Sequence, residues 1–276
     1  MKIQDKHIAF IGAGNMATAL IQGLLARGLP CANIWASDPD EAKLERLSSE
    51  LGINATTKNE EAVEHADIVI LAVKPQLIKA VLAPLQQTLN SWPVLIISIA
   101  AGITTESLAK LIARDQSIIR CMPNTPALVQ AGASALFANK NCSEADKAVA
   151  EKILEAVGTV CWLEQEDDMH TVTALSGSGP AYFFLFIEAL RDAAIQHGLA
   201  ADLADALAKQ TALGAAKLAL QSDDGVDILR QKVTSPGGTT EAAITQLEKD
   251  AFRAIIARAI AQARSRSEEL AQQETQ

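Results

Sequence analysis

Apolar residues in the first 165 positions fall into short, nearly continuous runs. The segments "HIAFI" (7–11), "NIWAS" (33–37), "DIVILAV" (67–73), "VLIISIA" (94–100) and "SIIRCM" (117–122) are strand-sized and mostly rich in β-branched residues. Helically spaced stretches separate them: 15–27, closing at Gly28, a charged segment over roughly 40–50, and "QLIKAVLAPLQ". Strands apolar on both faces and joined by helices predict a parallel sheet covered on both sides. Two more strands are predicted at "SALFA" (134–138) and "VCWL" (160–163), flanking a helix near 144–156.

Beyond about residue 165 no strand pattern remains, and alanine-rich helical spacing takes over at 179–197, 202–220, 226–232, 239–248 and 250–272. The segment "PAYFFLFIEAL" is apolar nearly all the way round, which predicts a helix buried on every side. A helical domain this thin is expected to take part of its cover from a second subunit. The final "LAQQETQ" is expected to fray. The predicted organisation is an α/β domain over 1–165 followed by an all-α domain over 166–276.

Composition narrows the classes. With 49% hydrophobic and 21% charged residues in 276, the chain can bury a sizeable core and is not a disordered one. No apolar run reaches the length of a membrane span, and "MKIQDKHIAF" has no leader-like segment, so a cytoplasmic protein is expected. A net charge of −9 argues against nucleic-acid binding, though backbone amides still hold small anions inside an acidic protein. Cys31, Cys121, Cys142 and Cys161 show no C-x-x-C spacing and are expected to be reduced and mostly buried; His7, His65, His170 and His197 are equally scattered. No local spacing suggests a metal site.

Candidate chemistry begins where the first strand meets the first helix. "IGAGNMA" fits G-x-G-x-x-A, with Gly12 for the tight turn, Gly14 for close approach of a diphosphate and Ala17 for helix–strand packing. An ordinary strand–helix turn uses glycines too, but here a strand precedes, a helix follows and a second strand comes about twenty residues on. Asp38, at the end of that second strand, stands where an acidic group binds the ribose 2′-hydroxyl of NAD. A 2′-phosphate would need Ser37 and nearby amides, with Lys43, Arg46 and Lys58 as candidate helpers; spacing alone leans to NADH. The strand ends "AVKP" (72–75), "IAAG" (99–102) and "CMPNTP" (121–126) should line the same crevice. Lys74 either caps a helix or touches a ligand, and Asn124 sits in a loop that Pro123 and Pro126 stiffen.

Two glycine-rich stretches interrupt the helical half, "ALSGSGPAY" (174–182) and "VTSPGGTTEAAI" (233–244). Each precedes a predicted helix and offers backbone amides to a carboxylate, with Ser235, Thr239 and Thr240 as N-cap candidates. Capping alone is the competing reading. Tyr182 is expected to pack rather than to donate a proton. The cluster "EQEDD" (164–168) reads as a solvated domain junction from which Glu166 is expected to approach the substrate.

In this order along the chain, "FIGAGNMA", "AVKP", "IAAG", "RCMPNTPA", "ALSGSGPAYFFLF" and "RQKVTSPGGTTEAAI" resemble the pyrroline-5-carboxylate reductases over about residues 7–270. The resemblance implies NAD(P)H-dependent reduction of 1-pyrroline-5-carboxylate to L-proline. It also implies an N-terminal Rossmann-like doubly wound sheet and an all-α C-terminal dimerisation domain, assembled as a homodimer at least and in larger rings of dimers. Carried over by motif, Gly12, Ala13, Gly14, Asn15, Met16 and Ala17 would hold the diphosphate. Ser37, Asp38 and Asn59 would lie at the adenosine ribose, with Ala72, Val73, Lys74, Pro75, Ala100, Ala101 and Asn124 along the rest of the cofactor. Gly237, Gly238, Thr239 and Thr240 would bind the substrate carboxylate, with Thr240 and Ser176 as the catalytic candidates. The family preference makes NADPH the expected cofactor, with NADH usable. A protonated cyclic imine accepts hydride directly at carbon, so few acid–base side chains are required. Another imine or hydroxyacid reductase on the same plan, or a dinucleotide-binding protein without catalysis, are the alternatives.

Overall fold

Burial alternates strictly along the first strand: Ile8 and Phe10 enter one apolar layer, Ala9 and Ile11 the other, and all four are essentially inaccessible. This strand, β1 (Ile8–Ile11), is the centre of an eight-stranded sheet in a computed structural model that describes residues 3–64, 66–112 and 115–274. His65 lies outside the described residues.

The remaining strands are β2 (Ile34–Ser37), β3 (Asn54–Thr56), β4 (Ile68–Leu71), β5 (Leu95–Ser98), β6 (Ser117–Met122), β7 (Gly132–Ala138) and β8 (Gly158–Trp162). Their order is β3-β2-β1-β4-β5-β6-β7-β8. All neighbours are parallel except β6 and β7, which pair antiparallel, so the sheet is mixed rather than wholly parallel. The reason is the short path from Met122 to Gly132: a parallel return needs a crossover of about a dozen residues or more, and a single 3-10 turn (Thr125–Val129) fills this one.

Helices α1 (Asn15–Ala26), α2 (Glu41–Leu51), α3 (Asn59–Val63), α4 (Ile78–Leu89), α5 (Thr105–Ile112) and α6 (Glu144–Glu155) follow the strands in turn. The chain order reverses at β1, whose neighbours are β2 and β4. Open α/β sheets bind ligands at the carboxyl ends of the strands at such a switch point. The outer strand pair depends on glycine: a Cβ on Gly158 (φ +153°) would come within 1.9 Å of the Gly132 carbonyl oxygen.

The chain continues through α7 (Asp168–Val172), a π-helical turn (Thr173–Gly177), α8 (Gly179–Gln196), α9 (Ala201–Gln221), α10 (Val226–Lys232), α11 (Thr239–Lys249) and α12 (Phe252–Glu274). The expected fraying from Leu270 is therefore not observed through Glu274. The chain divides into two compact units, residues 1–178 with 263–276, and residues 179–262. The first unit thus gains the end of α12, whose Leu270 and Ala271 lie against Gly102, and whose Ser267 Oγ is 2.9 Å from His170 Nδ1.

In the second unit α8 packs on α9, and Phe186 stacks at a tilt on Phe252, ring centroids 6.4 Å apart. Within the single chain α8 is not buried on every side as its composition predicts: Phe183, Phe184 and Leu185 are each at least 65% exposed. The thiols also divide, Cys121 buried and Cys142 half-buried against exposed Cys31 and Cys161. Among the described residues no three His, Cys, Asp or Glu gather as a metal-binding group, and no helix is long and apolar enough to cross a membrane.

Candidate functional site

The site starts with a backbone that has no room for a side chain. Gly12 follows β1 at φ +101°, donates its N–H to the Ser37 carbonyl at 2.8 Å, and a Cβ there would come within 2.6 Å of the Ala72 oxygen. Glycine alone satisfies both demands. Gly14 is the N-cap of α1, makes no side-chain capping bond, and has nothing within 4 Å of where a Cβ would stand. The first-turn amides of α1 therefore face open space at the positive end of a three-turn helix, with Gly14 and Asn15 exposed, Met16 half-buried and Ala17 buried in the core. An uncapped, unobstructed helix start fits a diphosphate.

One member of the expected diphosphate set is otherwise engaged. The Ala13 N–H donates to Asp38 Oδ2 at 2.9 Å, and both groups are buried. Asp38 Oδ1 accepts from the Asp40 N–H at 3.1 Å, and Lys43 Nζ reaches both oxygens at 2.9 and 3.0 Å. Burial would raise the Asp38 carboxyl, but the Ala13 amide, Lys43 and the Asp40 amide outweigh it and hold it below the usual value. Asp38 is consequently a clamp on the glycine turn, rather than the outward acceptor for a ribose hydroxyl that its spacing suggested. Beside it Ser37 is fully buried, and its Oγ donates to Asn59 Oδ1 at 2.7 Å.

Ala72, Val73, Lys74 and Pro75 run out from β4; Lys74 is exposed and precedes a 3-10 turn that begins with Pro75. Ala100, buried, and Ala101, exposed, follow β5. These segments and the glycine turn share the carboxyl edge of the sheet, as their order along the chain predicted. Asn124 is drawn away from that role: its Nδ2 donates to the Ser176 carbonyl at 3.0 Å and its Oδ1 accepts the Ala133 N–H at 2.8 Å. It is a bracket from the β6–β7 turn to the π-helical turn.

Glu166 likewise has a different task from the expected substrate contact. Oε1 accepts the Thr105 N–H at 2.8 Å and Arg120 Nη1 at 3.2 Å, while Oε2 accepts Thr105 Oγ1 at 2.8 Å. Arg120 is 3% exposed. The carboxylate closes the start of α5 and neutralises a buried cation. The stretch around Ser176 is also not an open nest: Ser178 N–H bonds to the Thr173 carbonyl across five residues, and Ser176 Oγ donates to Val172 O at 3.1 Å. Such π turns recur at functional sites.

In the second unit the glycine stretch does open a helix. Gly237 adopts φ +72° and donates its N–H to Glu241 Oε2 at 2.7 Å; Gly238, not a Ser or Thr, is the N-cap of α11 and makes no side-chain capping bond. Thr239 and Thr240 thus occupy the first two helical positions, with Thr239 exposed and Thr240 half-buried. With Glu241 folded back on Gly237, their amides stand uncapped at a second helix start.

Comparison with known proteins now bears on both halves. A family model for pyrroline-5-carboxylate reductase dimerisation matches residues 166–270, and one described as NADP oxidoreductase, coenzyme F420-dependent, matches 7–102. The pyrroline-5-carboxylate reductase of Pseudomonas aeruginosa is 49% identical over 267 residues, 97% of each chain. The chain belongs to the pyrroline-5-carboxylate reductase family. Among solved structures of the family, that from Coxiella burnetii is 44% identical with a TM-score of 0.93 over 96% of this chain and 98% of that one. A Plasmodium falciparum pyrroline carboxylate reductase, solved with NADP bound, is 32% identical with a TM-score of 0.85 over 97% and 99%. The first family model contains the glycine turn, Asp38, Lys43 and Ala72–Pro75, and the reductase dimerisation model contains Ser176 and the 237–240 turn.

Proposed function

We propose that this protein reduces 1-pyrroline-5-carboxylate to L-proline, the last step of proline biosynthesis, with NADPH as the preferred cofactor and NADH usable. The observation that carries the reading is the uncapped start of α1 behind the side-chain-free Gly12, in a chain of this family. When bound, NADPH supplies the hydride. The first-turn amides of α1, from Gly14 to Ala17, hold its diphosphate. Ser37 and Asn59 flank the adenosine ribose, and Ala72–Pro75 with Ala100–Ala101 border the remainder.

The amides of Thr239 and Thr240 receive the substrate carboxylate, with Gly237 and Gly238 shaping the turn. The Thr240 hydroxyl orients the ring nitrogen, and Ser176, whose oxygen retains acceptor capacity, is the second candidate contact. The substrate binds as a protonated imine, and hydride addition at its carbon leaves a neutral amine, so no acid is needed to quench an alkoxide. Orientation contributes most of the rate.

The functional division is 1–165 for the cofactor and 166–276 for substrate and dimerisation. The exposed Phe183–Leu185 face supports a homodimer, with a ring of dimers as the larger assembly, in the cytoplasm. The test is nicotinamide oxidation by purified protein with pyrroline carboxylate, NADPH against NADH, alongside short keto-acids. Turnover of the imine, faster with NADPH, is the expected result; turnover of a keto-acid with none of the imine would overturn it.

A further inference from the structure

An acidic residue at the end of the second strand of a dinucleotide fold ordinarily takes the ribose hydroxyls of NAD and repels a 2′-phosphate. Asp38 occupies that place but is differently employed. A carboxylate offers about four acceptor positions. Those of Asp38 meet the Ala13 N–H, the Asp40 N–H and Lys43 Nζ on both oxygens. Nothing is left over for a pair of ribose hydroxyls.

The charge is also met. Lys43 belongs to the first turn of α2, where its own N–H is fixed by Asp40 Oδ1 at 3.1 Å, and its side chain folds back onto Asp38 with about a third of its surface exposed. The Asp38 side chain is 11% exposed, so its negative charge is screened by Lys43 more than by water. On the other flank Ser37 donates to Asn59 Oδ1, which leaves the amide end of Asn59 as a hydrogen-bond donor.

Taking the cofactor reading above as given, we propose that Lys43 determines the preference for NADPH by cancelling the charge of Asp38, while Asp38 serves as the positioning residue of the glycine turn. The acid at this position holds the Ala13 amide and the turn, and the lysine makes it compatible with a neighbouring phosphate. Without Lys43, an unpaired carboxylate would face the 2′ position, repelling a phosphate and accepting a hydroxyl.

Calorimetric titration of the intact protein with 2′,5′-ADP and with ADP tests this without turnover. The wild type is expected to favour 2′,5′-ADP, and Lys43→Met to lower the ratio of the two affinities about tenfold. Lys43→Gln repeats the neutral substitution with a polar side chain, and Lys43→Arg, which keeps the charge, retains the ratio. The double variant Asp38→Asn with Lys43→Met should recover most of the loss, because the carboxylate being cancelled is gone. An unchanged ratio in both neutral variants overturns the proposal, as does a double variant no better than Lys43→Met. A wild type that binds neither nucleotide, and does not oxidise NADPH with the imine, would instead overturn the underlying function.

Discussion

Two glycines two residues apart in the same turn do separable work. Gly12 is required by the fold: an alanine would be held at φ +101° with its Cβ 2.6 Å from the Ala72 oxygen. Gly12→Ala should cost about 2–4 kcal/mol in urea unfolding. Gly14 is required by the ligand. Its φ is −75° and nothing lies within 4 Å of a Cβ, so Gly14→Ala should melt as the wild type does. The added methyl would stand where the diphosphate approaches, and NADPH affinity should fall at least about tenfold. An alanine that melts normally and binds normally would place the diphosphate elsewhere. The residues whose roles changed on folding, Glu166 and Asn124, have partners 61 and 52 positions away, and no local pattern announces such pairs. Thr240→Ala, a change on an uncapped helix start, should raise KM for pyrroline carboxylate and leave the melting temperature in place.

Between elements, the fixed points are two buried polar contacts. Arg120 and Glu166 tie β6 to the start of α5, and removing one partner of a buried ion pair strands the other, so Glu166→Ala should destabilise the first unit by about 3 kcal/mol. His170, bonded to Ser267, joins α7 to the end of α12; burial, and then Arg120, lower its pKa from 6.5. The unfolded chain therefore binds more protons below that value. Stability from this group is complete above 6.5 and is lost as pH falls through the folded pKa. Urea midpoints should drop on acidification below that value, and the drop should shrink in His170→Gln. The strands of the α/β half and the five helices after residue 178 were legible because their apolar runs are long or strongly periodic. Less visible were β3, whose "NAT" is polar and half-buried, α3 and α7 at five residues each, and α5, whose cap comes from Glu166. The π-helical turn reads as a loop because its glycine and serines have the composition of one.

At the scale of the whole molecule, the apolar surface of the second unit is the feature one chain does not account for. Phe183, Phe184 and Leu185 project from consecutive positions of α8, and the length-spanning relatives share a model described by dimerisation. Phe184→Glu with Leu185→Glu should shift sedimentation from dimer or larger towards monomer, whereas a well-folded wild-type monomer at micromolar concentration would refute the covered face. The central claim is that a hydride passes from the cofactor to the carbon of a cyclic imine. Its most direct test is the reaction of pyrroline carboxylate with NADPH deuterated at the transferable position, followed by mass and NMR analysis of the proline formed. One deuterium per proline, at the former imine carbon, is the predicted result; oxidised cofactor with no deuterium in proline would contradict it.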